Sequence, residues 1–409
     1  MEKSNQMNRK LVFVLFSVVL FFSACKKDDL ENHAGIKLYN GVDFVISSIQ
    51  YGSENQIYCI AKTKNTDSTV LLTYSNTLEL INTTRINEIN GLEGELTLKY
   101  LPRGGWFITS VEQNYDFTTL TAFLTDKKFT VLEKKDLIKI PNPPNYPESG
   151  RGIIDVFDQK MLSDGDFVIT CDTVFQEEQT PGRLTSVTGM SIIRLSPDLE
   201  LRFPPFSGKL KTRSWEPRIS ELEDGSLFYI RYSPLGRRAY GIIEKSGTVR
   251  YEKLNLSNFI YSDPINLSKA NENVILAQVL NNDQLQQYTL IDPNSGDVIN
   301  KSILEKNTTN DGHLGPNPLP NKLEQGSGHF IYSEGIQKLF FLEVDAQAIL
   351  TKRFEVVMPE FDEILSYRQL FTPEGNVLLA VSFESEGSLK FMIQEYTPEG
   401  EQLDWTIKK

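Results

Sequence analysis

The side chains best suited to recognition are two aromatic–arginine pairs, Trp215 with Arg218 and Tyr367 with Arg368. An aromatic face stacks on sugars and apolar groups, and a guanidinium donates in a fixed fork, so such pairs around a cleft suit binding. Asp155, Glu216 and Asp263 fall near the starts of apolar, strand-like runs. Two carboxylates at the right separation would hydrolyse a glycosidic bond. Each feature also has a plain structural reading. The aromatics can fill space between sheets, and the carboxylates can be solvated or pair with Arg213, Arg218 or Arg368. The histidines, His33, His313 and His329, stand apart in turn-like sequence without metal-ligand spacing. There is no Gly-x-Ser-x-Gly elbow, no phosphate-cradling glycine loop, no zinc-protease helix and no Asp-box of the sialidase type. The sequence therefore predicts no metal and no cofactor.

What must position these residues is a chain of short strands, rich in Val, Ile, Phe, Tyr and Thr and almost free of helical periodicity. One turn type precedes an apolar strand at Ser163-Asp164-Gly165, Glu223-Asp224-Gly225 and Pro373-Glu374-Gly375, with weaker copies at Arg103-Gly104-Gly105 and Gly326-Ser327-Gly328. A second follows about 25 residues later, at Ser196-Pro197-Asp198-Leu199, Lys245-Ser246-Gly247, Pro293-Asn294-Ser295-Gly296 and Thr397-Pro398-Glu399-Gly400. Glycine and asparagine supply positive φ in tight hairpins, and proline presets the turn entry. Two hairpin turns per period of roughly 50 residues describe a four-stranded unit. Several strands, among them Val377-Leu378-Leu379-Ala380-Val381, are apolar on both faces, as a sheet sandwiched between two others requires.

This pattern resembles the β-propeller, an all-β fold of radially packed four-stranded blades. Seven units are counted, near residues 41–90, 93–140, 152–208, 213–257, 261–305, 313–358 and 363–409, with six or eight as the alternatives. Residues 142–150, holding Pro143, Pro144 and Pro147, read as a stiff loop. Pro217, Pro264 and Pro318 fall near the starts of predicted innermost strands, whose free edge tolerates a missing donor. On this reading the two aromatic–arginine pairs, Asp155 and Asp263 gather at the mouth of a central channel.

The composition, 40% apolar and 23% charged, is that of a globular body. A net charge of −12 disfavours nucleic acid and anionic lipid as partners. Cys59 and Cys171 fall on the second strands of units two repeats apart, so they are expected as buried free thiols.

The N-terminus carries an address. Lys3, Arg9 and Lys10 precede the apolar run 11–22, which is too short to span a bilayer. Ser23 and Ala24 then lead to Cys25. This resembles the signal peptide and lipobox of bacterial lipoproteins, although Phe22 stands where that family prefers Leu. The resemblance implies cleavage after residue 24, acylation of Cys25 and a polar tether over 25–35, and the propeller pattern makes 36–409 a single domain. Lys26-Lys27-Asp28-Asp29 resembles the short signals that carry some lipoproteins to the outer face of the outer membrane. The expected function is then a non-catalytic binding or scaffold protein, anchored to the outer membrane by lipid and engaging a protein partner or a glycan. The alternative is a polysaccharide hydrolase or lyase with carboxylates at the channel mouth.

Overall fold

The computed structural model describes residues 37–403 apart from short stretches, the longest being 143–151, 207–214, 233–237, 255–265, 307–311 and 315–327. Among the described residues the strands form seven antiparallel sheets. In chain order, sheets 1 to 6 span residues 44–85, 95–141, 153–195, 215–254, 266–306 and 312–355, and sheet 7 spans 363–396 with one added strand. Within each sheet the strands follow one another in sequence, each paired with the next. The first strand of each sheet is the inner one. Inner strands pack against their neighbours around the ring, and Glu363–Phe371 of sheet 7 returns to Phe44–Tyr51 of sheet 1. Between sheets 6 and 7 the seam is filled by Phe341, Val356 and Tyr367. A closed circle of meander sheets is a β-propeller.

Burial follows this packing. Thr69–Tyr74 is buried at every position, and Val377–Ser385 at all but one, because each middle strand is covered on both faces. The seams hold the core, and Phe107 of sheet 2 stacks on Phe167 of sheet 3 with centroids 4.2 Å apart.

The first turn carries a left-handed glycine at Gly104, Gly165, Gly225 and Gly375, each donating its N–H to the carbonyl three residues back. Sheet 2 adds a second: Gly105 has φ +89°, and a Cβ there would lie 2.1 Å from the Thr125 carbonyl oxygen. The second turn departs from expectation. Leu78, Phe129 and Leu199 take positive φ where other sheets use Gly247 or Gly400. In each, the left-handed residue donates its N–H to the carbonyl three residues back, as Leu199 does to Ser196 at 3.0 Å. Left-handed geometry costs an L-residue roughly 1–2 kcal/mol, and full burial of a leucine returns about 1.5–3 kcal/mol. Leu78 and Leu199 are both fully buried, so packing outweighs the strain.

The seventh sheet also differs from the repeat. Its outermost strand is Lys37–Asn40, which pairs antiparallel with Ser388–Tyr396 from Lys37 opposite Ile393 to Asn40 opposite Lys390. Next to it, Gln402 bridges Tyr396 and the Leu403 N–H reaches the Glu395 carbonyl at 3.0 Å. The ring is thus closed by a strand drawn from both ends of the chain. Among the described residues sheet 3 keeps three strands, and its fourth position holds single bridges, Leu195 with Leu201 and Ile192 with Phe206.

Candidate functional site

Among the described residues four inner strands break their ladder. The register shifts between Ile46 and Ser48, between Val156 and Asp158, between Trp215 and Arg218, and between Ile364 and Ser366. A bulge adds a residue, bends the strand and re-aims side chains, and bulges gather at rims and beside sites. The added residues are Ser47, Phe157, Leu365 and, in sheet 4, Glu216 with Pro217. Pro217 therefore sits where the ladder needs no donor. Ser47, Phe157 and Leu365 are all partly exposed on the strands that surround the axis.

The sequence-predicted residues separate at this point. Tyr367 and Arg368 do not act as a pair. Consecutive strand residues point to opposite faces. Tyr367 is 6% exposed and packs with Phe341, Val356 and Met392 in the seam toward sheet 6. Arg368 turns the other way, donating through Nε to the Ser47 carbonyl of sheet 1 and through Nη1 to its own neighbour's carbonyl. Beside it, Ser366 Oγ donates to the Ile46 carbonyl at 2.7 Å, and the Ile46 N–H donates to Ser382 Oγ at 2.9 Å. These bonds stitch sheet 7 to sheet 1.

Trp215 opens the inner strand of sheet 4 opposite Tyr232, and Arg218 lies opposite Ile230. Their side chains, like that of Glu216, lie outside the described residues, as do Asp263, His33 and Cys25 altogether. His313 and His329 fall on strands of sheet 6, and their side chains are likewise undescribed.

Asp155 pairs across the ladder with Asp172. Directly opposed residues place their Cβ atoms about 4.5–5.5 Å apart. Asp155 is partly exposed, whereas Asp172 is fully buried. The adjacent Cys171 thiol is pushed well above its ordinary value, by burial first and then by these two carboxylates.

A charged group that sequence reading missed lies on the inner strands of sheets 2 and 3. Asp158 and Lys160 form an ion pair at 3.1 Å, and Lys160 Nζ also donates to the Ile219 carbonyl of sheet 4 at 2.7 Å. Lys99 faces them from sheet 2. Burial holds its ammonium below the usual lysine range, Asp158 works against that shift, and Lys160 adds to it. Lys99 and Lys160 both stand two residues before the leucine that opens the first turn, Leu101 and Leu162. Aligning the repeats residue by residue would have shown it. Phe157 carried no such signal, because a bulge is set by pairing. Among the described residues no group of three His, Cys, Asp or Glu side chains could hold a metal ion.

No protein-family model matches this sequence, and no curated protein does. Solved structures resemble it in shape. The Dos1 propeller is 11% identical at a TM-score of 0.47, over 85% of this chain and 77% of that one. The WD40 domain of SCAP from fission yeast is 9% identical at 0.43, over 90% and 86%. A protein of unknown function from Dyadobacter fermentans is 11% identical at 0.46, over 88% and 98%. The assignment to the β-propeller fold rests on the strand order, beside which these similarities stand.

Proposed function

We propose that this chain is a lipid-anchored, non-catalytic binding propeller that engages a glycan or a protein partner through the inner strands around its channel. One observation carries the choice between binding and hydrolysis. The carboxylate pair that spans the inner and second strands of sheet 3, Asp155 with Asp172, is half sealed, since Asp172 is fully buried. Two-carboxylate hydrolysis needs both groups at the scissile bond. The partly exposed Phe157 and Leu365 instead offer apolar contacts at the bulges, beside Ser47, whose hydroxyl donates to the Ile60 carbonyl and is left to accept. The anchor reading rests on the signal sequence, with Cys25 as the acylated residue and the outer membrane, at its outer face, as the location.

The test has two arms. Mature protein is incubated with polygalacturonate, dextran and mucin, and bound protein and released product are measured together. Retention without new reducing ends or unsaturated sugar is expected, whereas product formation at a rate set by enzyme concentration overturns the non-catalytic reading. Separately, Cys25→Ser should move the protein out of the detergent phase, because it removes the thiol that carries the acyl chains. A variant that partitions like the wild type overturns the anchor.

A further inference from the structure

We propose that Lys99 and Gln159 form a receptor for a free carboxylate, in the seam between sheets 2 and 3 where it meets the channel; this rests on the binding reading above.

The seam is defined by register. Lys99 pairs with Phe107, and Thr97 with Thr109. All four share one face of sheet 2, and that face lies against sheet 3. Phe107 stacks on Phe167, and Thr109 Oγ1 donates to Gln159 Oε1 at 2.9 Å. Lys99 is two residues along the strand from Thr97, about 7 Å, within the span of a lysine stem.

Two donors are left over here. Gln159 is 6% exposed, and its Nε2 has no hydrogen-bond partner among the described residues. Thr109 occupies the amide oxygen, so the NH2 end is held in a fixed orientation. Lys99 makes no hydrogen bond or ion pair among the described residues, although its neighbours do. Gln50, at the equivalent position of sheet 1, accepts the Tyr100 N–H at 3.0 Å, and Lys160 reaches the Ile219 carbonyl. Asp158 forms an ion pair with Lys160 at 3.1 Å, and its Oδ2 accepts no hydrogen bond among the described residues. Two of the three equivalent side chains therefore stitch one sheet to the next, and Lys99 does not.

A buried donor without an acceptor is costly, and a desolvated ammonium more so. A carboxylate answers both, with one oxygen on Lys99 Nζ and the other on Gln159 Nε2. The nearby Asp158 carboxylate disfavours a dianion such as phosphate, so the site suits a single negative charge. That carboxylate can come from an acidic sugar or from an acidic amino acid.

The experiment titrates D-galacturonate and N-acetyl-L-glutamate amide, each as free acid and as methyl ester, into the mature protein, into Lys99→Met and into Gln159→Met. Acetylation of Lys99 by a soluble reagent is followed by mass spectrometry in parallel. One free acid should bind at least tenfold more tightly than its ester, and which one identifies the source. Lys99→Met should abolish that tenfold preference while melting at or above the wild-type temperature, and the bound acid should protect Lys99 from acetylation. Equal affinity for acid and ester, unchanged binding in Lys99→Met, or no binding by any probe overturns the site. A polysaccharide that binds wild type and Lys99→Met alike removes this site and leaves the channel reading standing.

Discussion

Arg194 donates through Nε to Asp166 Oδ2 at 2.9 Å, and the two side chains are only 1% and 5% exposed. Both other nitrogens of Arg194 donate as well. Nη2 reaches Asp164 Oδ2 at 2.6 Å, and Nη1 reaches the Gly225 carbonyl at 2.9 Å. Arg202 grips Asp166 from the solvent side, and Lys245 sits 3.1 Å from Asp164. Ser163 adds two hydrogen bonds to Glu221. The first turn of sheet 3 is thereby fastened to the inner strand and first turn of sheet 4.

Removing one partner of a buried pair leaves the other charge uncompensated, at about 3–5 kcal/mol, whereas an exposed ion pair contributes about 0–1 kcal/mol. Arg194→Met should therefore lower the free energy of unfolding by about 3–5 kcal/mol. Arg202→Met, at a side chain 47% exposed, should cost no more than about 1 kcal/mol. Urea denaturation of both variants checks this, and equal losses would contradict it.

The same turns set the acid limit. Burial works to raise Asp224, but bonds from the Ser226 hydroxyl, Arg250 and the Ser226 N–H together outweigh it and hold the carboxyl down to about 2. Asp164 is lowered as well. Burial opposes its ionisation, and the Asp166 N–H, Lys245 and Arg194 overcome it. A carboxyl depressed in the folded state contributes stability that is complete above its unfolded value, near 3.9, and lost as pH falls through the folded value. Unfolding free energy should fall between about pH 4 and pH 2, and Asp224→Asn should flatten part of that slope. A variant whose profile runs parallel to the wild type would show that Asp224 has no part in it.

Tyr367 belongs to the seam between sheets 6 and 7, so its truncation is a core mutation. Tyr367→Ala should cost about 3–5 kcal/mol, the range for emptying a buried aromatic site. A loss below about 1 kcal/mol, with weaker ligand binding, would return Tyr367 to the channel.

Much of the fold was legible because its cues are local. Gly165, Gly225 and Gly375 mark the first turn, and the doubly apolar run 377–381 marks a sandwiched strand. Three second turns were harder to see. Leu199 was recognised only through its Ser-Pro-Asp lead-in, and the turns ending at Leu78 and Phe129 were missed, because an apolar residue occupies the left-handed position and burial compensates it. The closing strand was invisible for another reason. Four residues, Lys-Leu-Tyr-Asn, carry too little pattern, and their partner lies more than 300 residues away. The site suffered most. Tyr367 and Arg368 were joined by adjacency in sequence, although adjacency in a strand sends side chains apart. Phe157 and the Lys99–Gln159 seam depend on bulges and on packing between sheets.

Cys59 and Cys171 are free and fully buried, and burial pushes both thiols far from reactivity. Neither should react with a soluble disulfide reagent in native protein, and both should react after unfolding. A thiol that titrates before unfolding, or a linked peptide pair in unreduced protein, would contradict this.

The strand Lys37–Asn40 should matter out of proportion to its length. Deleting it exposes the edge of Ser388–Tyr396, and an unpaired edge recruits other chains. The truncated protein should melt lower and scatter more light on warming than the full mature chain. Indistinguishable melting and scattering would show that the closure contributes nothing.

The central claim is that the bulged inner strands around the channel are the binding surface. Isothermal titration of the glycans retained by wild type, repeated on Phe157→Ala and on Lys127→Ala, tests it most directly. Phe157 is the added residue of the sheet 3 bulge, and Lys127 is an exposed residue in the turn that joins the outer two strands of sheet 2. Losing a stacking contact of roughly 1–1.5 kcal/mol should weaken Phe157→Ala about five- to tenfold, and Lys127→Ala should bind like wild type. Equal affinity in all three proteins, or a loss confined to Lys127→Ala, would contradict the claim.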